Sequence, residues 1–274
     1  MSSSTSESTL AIVMTAGEAF PSKAGLAEAI KARIPNIVIP SEILADPKGT
    51  LVFLYEDYMF AVEKVDAPCP ISKDDPCVQF AWYWADAWKA VSKHKAHLLA
   101  SVSGGADARR HAALHGQLVA AVIDAAKDAV AVHWASSDSL WPAPLVAQTI
   151  APGDRKPPVA FCVAIKLSGD ADGGVSGVTR GLAAFGLMEI EAGGFKGDPR
   201  QLNGLMLDLA GYLIEAGPVI KDGDTIGRDA ATKIWSGGQS IASSHQERFP
   251  SMWNGSAQKN RSIQAAIARP WGIP

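Results

Sequence analysis

The stretch from Ala96 to Trp134 constrains the fold most, because strand, helix and strand signals follow one another there without a gap. The apolar run from His97 to Val102 is closed by a serine and two glycines, which predicts a buried strand. Asp107 then predicts the N-cap of a helix that runs to about Lys127. The run from Ala129 to Trp134 predicts a return strand, so we expect a right-handed crossover with the two strands paired in parallel.

The predicted helix carries its apolar residues on one face, at the three- and four-residue steps of the helical period. These residues are Leu114, Leu118, Val119, Val122 and Ala126. His111 and His115 fall within the same stripe, one turn apart, which is a spacing that lets two imidazoles share a metal ion. Ala112, however, stands where a zincin-type site carries its catalytic glutamate. We therefore expect buried histidines with hydrogen-bonded partners, and neither a bound metal nor another cofactor.

Length and composition predict a folded chain with more than one lobe. The 274 residues are 47% hydrophobic and 19% charged, which supplies apolar surface for a substantial core. We expect an α+β protein of two packed lobes, each with helices against a mixed β-sheet. The predicted divisions are a disordered tail over 1–9, an N-terminal lobe over 10–95, a second lobe over 96–233 and an irregular extension over 234–274.

Charge and cysteine content limit the classes of partner and the cellular compartment that we expect for this chain. A formal charge of −3 gives no basic surface for nucleic acid. Cys69, Cys77 and Cys162 are odd in number and lack CxxC spacing, which favours a reducing compartment over a disulfide framework or a zinc knuckle. No secretory signal is visible, and no apolar run reaches the ~20 residues that span a bilayer. We expect a cytoplasmic protein that binds neither nucleic acid nor membrane.

The N-terminal third contains several further element signals. Leu10 to Thr15 predicts a strand, and Ser22 predicts the N-cap of the helix that follows it. Asn36 to Ile39 predicts a second short strand before a proline. Thr50 to Asp66 is rich in β-branched and aromatic residues on either side of a Glu-Asp pair, which predicts an antiparallel hairpin with one buried face.

A tryptophan-rich stretch from Phe80 to Lys93 predicts another helix. Trp84 and Trp88 lie one turn apart and are assigned to the core on that basis, whereas Trp82 lies about 200° from Trp84. Trp82 is therefore left on the flank of the helix, where an exposed indole is a candidate anchor for a protein partner.

The loop from Ser136 to Pro144 follows the return strand of the crossover. Ligands often bind beyond the carboxyl ends of parallel strands. Ser136, Asp138 and Trp141 are accordingly the best candidates for a pocket, by analogy with such folds.

The C-terminal half contains two expected strands, followed by one well-delimited helix and a further short strand. Pro157 to Leu167 and Thr179 to Glu191 predict strands, and the loop between them is interpreted as a turn because Gly181 replaces the closing glutamate of a calcium loop. Asp198 at the N-cap and Gly217 just past the end delimit the helix. Its expected apolar stripe comprises Leu202, Leu205, Met206, Leu209 and Leu213, with Tyr212 as a further candidate. Pro218 to Ile220 predicts a further strand, Asp222 to Gly227 a turn, and Ser262 to Ala268 a short helix.

Five segments resemble one known family. They are APCP at Ala67–Pro70, AHLLASV at Ala96–Val102, AVAVHW at Ala129–Trp134, TRGLAAFGLMEIEA at Thr179–Ala192 and YLIEAGPVIKDGDTIG at Tyr212–Gly227. Together they resemble domain-of-unknown-function family 4261 over Leu10 to Gly227. The resemblance implies a bacterial intracellular α+β protein without an assigned activity, found in the setting of toxin, immunity and secretion genes. It implies no catalytic residues.

Two functions are compatible with these observations. The first is a non-catalytic module that binds another protein, such as an immunity or accessory protein of a toxin or secretion system, with Trp82, Ser136, Asp138 and Trp141 as binding residues. The alternative is a hydrolase that uses His111 and His115 with a carboxylate such as Asp138 or Glu189, with or without a metal. The chain lacks a GxSxG nucleophile elbow, a P-loop and a GxGxxG that opens a helix, so we favour the binding module.

Overall fold

The structure is a computed structural model that describes residues 8–45, 50–219, 225–226 and 234–235. The chain divides into two compact units. Among the described residues, the first unit takes those up to Ala81 together with Asp86–Cys162, and the second takes Trp82–Ala85 together with those from Val163 onward. Both units combine helices with a β-sheet, which confirms the α+β class. Within the described residues no helix is long and apolar enough to cross a membrane.

A six-stranded antiparallel sheet forms the centre of the first unit. Its strands are β1 (Thr9–Thr15), β2 (Leu51–Tyr55), β3 (Tyr58–Val65), β4 (Ala96–Gly104), β5 (Ala129–Trp134) and β6 (Ser139–Pro142). They lie in the order β2-β3-β4-β1-β5-β6. The N-terminal strand and the hairpin are confirmed, and the hairpin turns at Glu56 and Asp57 as predicted.

The predicted parallel pairing of β4 and β5 is wrong. Strand β1 lies between them and pairs antiparallel with both, so β4 and β5 run in the same direction without touching as neighbours. The strand, helix and strand of the crossover are all present. Segments that are adjacent in sequence predict a paired β4 and β5, whereas the apolar strand β1 from the N-terminal region takes the place between them.

Seven helices surround this sheet among the described residues of the first unit. They are α1 (Lys23–Arg33), α2 (Ser41–Ala45), α3 (Pro76–Gln79), α4 (Ala87–Val91), α5 (Ala108–Ala125), α6 (Ala143–Thr149) and α7 (Val159–Cys162). The Ser22 side chain caps α1 by accepting from the Gly25 amide, as the sequence predicts. Residues 36–39 form no strand and lead directly into α2, so that prediction is wrong.

Helix α5 is the most buried element of the unit. Asp107 caps it by accepting from the amides of Arg109 and Arg110, as predicted. The helix contacts β4 and β1 on one side and α1 and α6 elsewhere, so every residue from His111 to Ile123 is buried. Amphipathic periodicity predicts a single buried stripe, and the polar Gln117 is not part of it. Gln117 is buried because its amide donates to the carbonyls of Ala151 and Asp154 beside α6.

The predicted helix over Phe80 to Lys93 is also wrong. The chain forms the short helices α3 and α4, and residues 80–86 between them are turns and irregular backbone. Bulky aromatic residues have modest helix propensity, and five residues that include two tryptophans, a phenylalanine and a tyrosine stand in succession here.

The second unit has a smaller antiparallel sheet and one long helix. Its strands are β7 (Ala164–Gly169), β8 (Val175–Arg180), β9 (Glu191–Phe195), β10 (Thr225–Ile226) and β11 (Ile234–Trp235), in the order β10-β11-β9-β8-β7. The expected strand over 157–167 begins instead with helix α7, and the expected strand over 179–191 contains a 3-10 helix at Leu182–Phe185. Glycines at positions 181 and 186 adopt positive φ on either side of that turn, which an extended strand would not allow.

The long helix α8 (Pro199–Ala216) packs on β7 and β8. Asp198 and Gly217 delimit it as predicted. Leu202, Met206, Leu209 and Leu213 are buried, whereas Tyr212 is 55% exposed. Ile220, most of Asp222–Gly227 and the expected helix Ser262–Ala268 lie outside the described residues.

Candidate functional site

His111 and His115 both face the sheet. His111 Nε2 lies 2.8 Å from the Val102 carbonyl and 3.1 Å from the Thr9 hydroxyl, and His115 Nε2 lies 3.2 Å from the Ala100 carbonyl. Each ring nitrogen that meets a carbonyl must donate its proton, so each is used in tying α5 to β4. The two imidazoles do not meet a carboxylate in these contacts.

Burial sets the protonation of His115. The side chain is almost fully enclosed, its ring stands edge-on to Trp134 at 5.0 Å, and burial lowers its pKa to about 4. The hydrogen bond to Ala100 opposes that shift and the nearby His111 adds to it. A neutral imidazole that donates to a backbone carbonyl is what a core position requires.

The stretch expected to be a pocket loop is a hairpin turn between β5 and β6. Ser137 and Ser139 are buried, and their hydroxyl oxygens lie 2.7 Å apart. The Trp141 indole donates to Ser139 at 2.9 Å, and Ser137 donates to the Phe161 carbonyl at 2.7 Å. These bonds form a continuous chain from Trp141 to residue 161. Ser136, in the same turn, is half-buried.

Asp138 lies in that turn with a φ of 49°, in the left-handed region that Asp and Asn tolerate best. Its carboxylate Oδ1 is 3.3 Å from Nε2 of His133 on β5. Cys77, on α3, completes a cluster in which the sulfur, an imidazole nitrogen and a carboxylate oxygen all lie within 4.8 Å of one another. Among the described residues, this is the one group of three His, Cys, Asp or Glu side chains whose donor atoms lie so near to one another.

The arrangement of the cluster distinguishes between two kinds of chemistry. In a nucleophile–base–orienter relay, the thiol and the carboxylate contact opposite nitrogens of the imidazole. Here the thiol and the carboxylate are also close to each other, so the three donors converge on one point. Convergence is the geometry of a metal site rather than of a relay. Cys77 is also only 4% exposed, which leaves little room for a substrate at the sulfur.

Sequence reasoning found Asp138 but missed Cys77 and His133. Cys77 belongs to no CxxC motif, so its spacing predicts no metal site, and His133 lies within a run that predicts an apolar strand. Strand alternation was the available signal, since it places His133 on the face opposite Trp134. Nothing in the sequence indicates that α3 lies against β6, next to the turn that carries Asp138.

The tryptophans expected to divide between core and flank are all half-buried. Trp82 and Trp84 lie in the non-helical segment between α3 and α4, and Trp88 lies on α4. Trp82 stands edge-on to Tyr83, with ring centroids 5.3 Å apart. Because no helix spans these residues, the angular argument that separated Trp82 from Trp84 does not hold.

The β2–β3 hairpin exposes apolar side chains on one face. Val52, Leu54 and Met59 are 40%, 69% and 45% exposed, and we call these three residues the hairpin patch. Leu54 and Met59 are directly opposite in the strand register, so their side chains are neighbours. The other face of the same strands is buried, and β2 is the edge strand of the sheet.

A depression beside α5 is lined by polar and cationic side chains, including Arg33, Arg110, Gln117 and Arg155. Gln117 Oε1 is the one buried side-chain polar atom among the described residues without a hydrogen-bond partner. Two of the three guanidinium groups are already paired, Arg33 with Asp124 and Arg110 with Glu56.

Two carboxylates of the second unit, Asp170 and Glu189, form hydrogen bonds within the loops of that unit. Asp170 accepts from the Ser176 hydroxyl and the Gly194 amide. Glu189, one of the carboxylates considered for a hydrolase, accepts from the amides of Gly181 and Ala183 and from the Thr179 hydroxyl. It therefore holds the turn around the 3-10 helix.

The fold thus defines an α+β protein with two antiparallel sheets. Its described residues form no catalytic site of a familiar type. A family model described as Domain of unknown function (DUF4261) matches residues 178–250. This confirms the resemblance predicted from the sequence, over the part of the chain that contains β9 and α8. No curated protein and no solved structure was found to match the chain. Cys77, His133 and Asp138 lie outside the matched range.

Proposed function

We propose that this protein is a non-catalytic module that binds another protein through the hairpin patch. The observation that carries the proposal is the exposure of Val52, Leu54 and Met59 side by side on the edge hairpin of the sheet. Contiguous exposed apolar side chains mark interaction sites, whereas isolated ones are ordinary. The partner should be a polypeptide that presents an apolar segment to this face.

The wider setting of the proposal rests on the family resemblance. We infer a bacterial cytoplasmic protein that acts as an immunity or accessory protein of a toxin or secretion system, and that binds neither nucleic acid nor membrane. The three cysteines, all of them described, are thiols rather than disulfides, which fits a reducing compartment. The net charge of −3 supports a partner other than nucleic acid.

The hydrolase alternative has less support in the geometry. It requires His111 or His115 to act as a base, and both imidazoles are buried against carbonyls of β4. Of the two carboxylates considered with them, Asp138 contacts His133 and Glu189 holds a turn of the second unit.

The test compares Leu54→Glu and Met59→Glu with the control Met188→Glu. Met188 is 54% exposed on the second unit, so the control places the same charge at a similarly exposed methionine. A partner is captured on the immobilised 274-residue chain, identified by mass spectrometry, produced separately and titrated by calorimetry. We expect the two hairpin variants to weaken the binary complex at least tenfold and the control to leave it unchanged.

Two outcomes count against the proposal. Equal affinity of all three variants would remove the hairpin patch from the interface. Hydrolytic activity of the wild-type protein that is lost in His111→Gln would favour the alternative. Thermal unfolding of each variant shows whether a loss of binding reflects a loss of folded protein.

A further inference from the structure

We propose that Cys77, His133 and Asp138 form a binding site for a single transition-metal ion of the zinc type. The proposal is independent of the hairpin patch and replaces His111 and His115 as the place where this chain would hold a metal. A water molecule would supply the fourth ligand.

Three separate elements of the first unit bring the ligands together. Cys77 is the second residue of α3, which packs against β6. His133 comes from β5, and Asp138 from the turn that joins β5 to β6. A site assembled from a helix, a strand and a turn is fixed by the fold rather than by one flexible loop.

The donor set selects the class of ion. A thiolate, an imidazole and a carboxylate are the three side-chain ligands that zinc uses in proteins. Calcium and magnesium take oxygen ligands, so a sulfur and a nitrogen among three donors exclude them. A thiolate and a carboxylate also cancel the charge of a divalent ion, which suits a position of low solvent exposure.

The distances are close to those of a loaded site. Zinc bonds of about 2.0–2.3 Å in a tetrahedron place neighbouring donors about 3.5 Å apart. The nitrogen of His133 and the oxygen of Asp138 are 3.3 Å apart. The remaining separations are at most 4.8 Å, so the thiol needs to approach by no more than about 1 Å.

The burial of the ligands is graded. Cys77 is buried, whereas the side chains of His133 and Asp138 retain 21% and 18% of their exposure. The site is therefore closed on the side of the sulfur and open on the side of the imidazole and carboxylate. An ion can enter from that side, and a water ligand can occupy it, as in zinc sites that have three protein ligands.

Binding has a defined proton balance. The Cys77 thiol forms a bond from sulfur to the metal and releases its proton to solvent. The neutral imidazole of His133 donates a ring-nitrogen lone pair and keeps its proton on the other nitrogen, and the carboxylate of Asp138 donates an oxygen lone pair. One proton leaves for each ion bound, so affinity rises with pH.

The test uses the full chain, stripped with a chelator and then titrated with zinc and, separately, with cobalt(II). Cobalt reports both tetrahedral geometry, through its visible bands, and sulfur ligation, through a thiolate-to-metal charge-transfer band. Cys77→Ser and Asp138→Asn each remove one ligand. Asn accepts the left-handed backbone of position 138, so that variant keeps the turn. Cys69→Ser is the matched control, since Cys69 is a half-buried thiol outside the cluster.

We expect one equivalent of cobalt with a charge-transfer band in the wild type and in Cys69→Ser. The band should disappear in Cys77→Ser, and zinc affinity should fall at least tenfold in Asp138→Asn. At the same zinc concentration, the melting temperature should rise more in the wild type than in Asp138→Asn. If Cys77→Ser does not fold, Asp138→Asn and His133→Asn carry the same test.

Three results would overturn the proposal. The first is a wild-type protein that binds no cobalt or zinc above the level of Asp138→Asn. The second is a charge-transfer band that persists in Cys77→Ser, and the third is a band that is lost equally in Cys69→Ser.

Discussion

Arg33 and Asp124 form a two-point ion pair between α1 and α5. Arg33 Nε donates to Asp124 Oδ2 at 2.6 Å, and Nη2 donates to Oδ1 at 3.0 Å. The same guanidinium also donates to the carbonyls of Ala147 and Ile150 at the end of α6. One side chain, only 7% exposed, therefore ties three helices together.

Replacing Arg33 with methionine should destabilise the protein by about 3 kcal/mol, because the carbonyls of Ala147 and Ile150 lose their donor and Asp124 loses its counter-charge. Asp124 is 41% exposed and can turn to water, which keeps the loss below that of a fully buried pair. The control is Lys31→Met, which breaks an exposed pair with Glu28 and should cost at most about 0.5 kcal/mol. Urea unfolding of both variants measures the difference, and similar losses would contradict the structural role of Arg33.

His115 makes stability depend on pH. Burial lowers its folded-state pKa from an ordinary value of 6.5 to about 4. Between these two values the unfolded chain binds a proton that the folded protein excludes, so stability falls as the pH decreases from about 6.5 to about 4. The stability that depends on a neutral His115 is fully present above pH 6.5, and its loss at low pH lowers the free energy of unfolding by about 3 kcal/mol at most.

The variant His115→Gln isolates this contribution. Glutamine can donate to the Ala100 carbonyl but does not titrate, so its urea midpoint should change less between pH 7 and pH 4.5 than that of the wild type. Carboxylates titrate in both proteins and cancel in the comparison. Parallel pH profiles for the two proteins would show that His115 is not the group responsible.

Local sequence signals predicted the elements of this fold better than their arrangement. The caps Ser22, Asp107 and Asp198 each accept the amide hydrogen bonds expected of them, because capping depends on residues within one turn. The insertion of β1 between β4 and β5 involves residues more than 80 positions apart, and no local pattern encodes it. Burial of the whole of α5 likewise depends on α1 and α6.

The candidate metal site shows the same limit. The sequence identifies Asp138 as a candidate because it stands in a turn after an apolar strand, where polar residues often bind ligands. Cys77 lies 56 residues before His133 and comes beside it only because α3 packs against β6. Spacing rules recognise ligands on one helix or one loop, as for His111 and His115, and these two side chains meet carbonyls instead.

Gly105 should tolerate no side chain. Its φ is 68°, and a β-carbon at this position would lie 2.0 Å from the ring of Tyr58, which is buried. Gly105→Ala should therefore cost about 3 kcal/mol, of which the left-handed backbone accounts for about 1 kcal/mol. Gly153→Ala is the control, since its φ is 76° but its nearest neighbour is the Pro35 side chain at an ordinary 3.5 Å. Equal losses in urea unfolding would mean that Tyr58 moves aside without cost.

The turn between β5 and β6 allows a direct comparison of two adjacent serines. Ser137 is fully buried and donates to the Phe161 carbonyl at 2.7 Å, within the hydrogen-bond chain that ends at Trp141. Ser137→Ala should cost about 1–3 kcal/mol, because the buried Phe161 carbonyl keeps only the 3.5 Å contact with the Ser139 hydroxyl, and that hydroxyl loses its 2.7 Å partner. Ser136→Ala, at a half-buried position of the same turn, should change stability by no more than about 0.5 kcal/mol. If Ser136→Ala is the more damaging of the two in urea unfolding, the hydrogen-bond chain through Ser137 does not hold the hairpin in place.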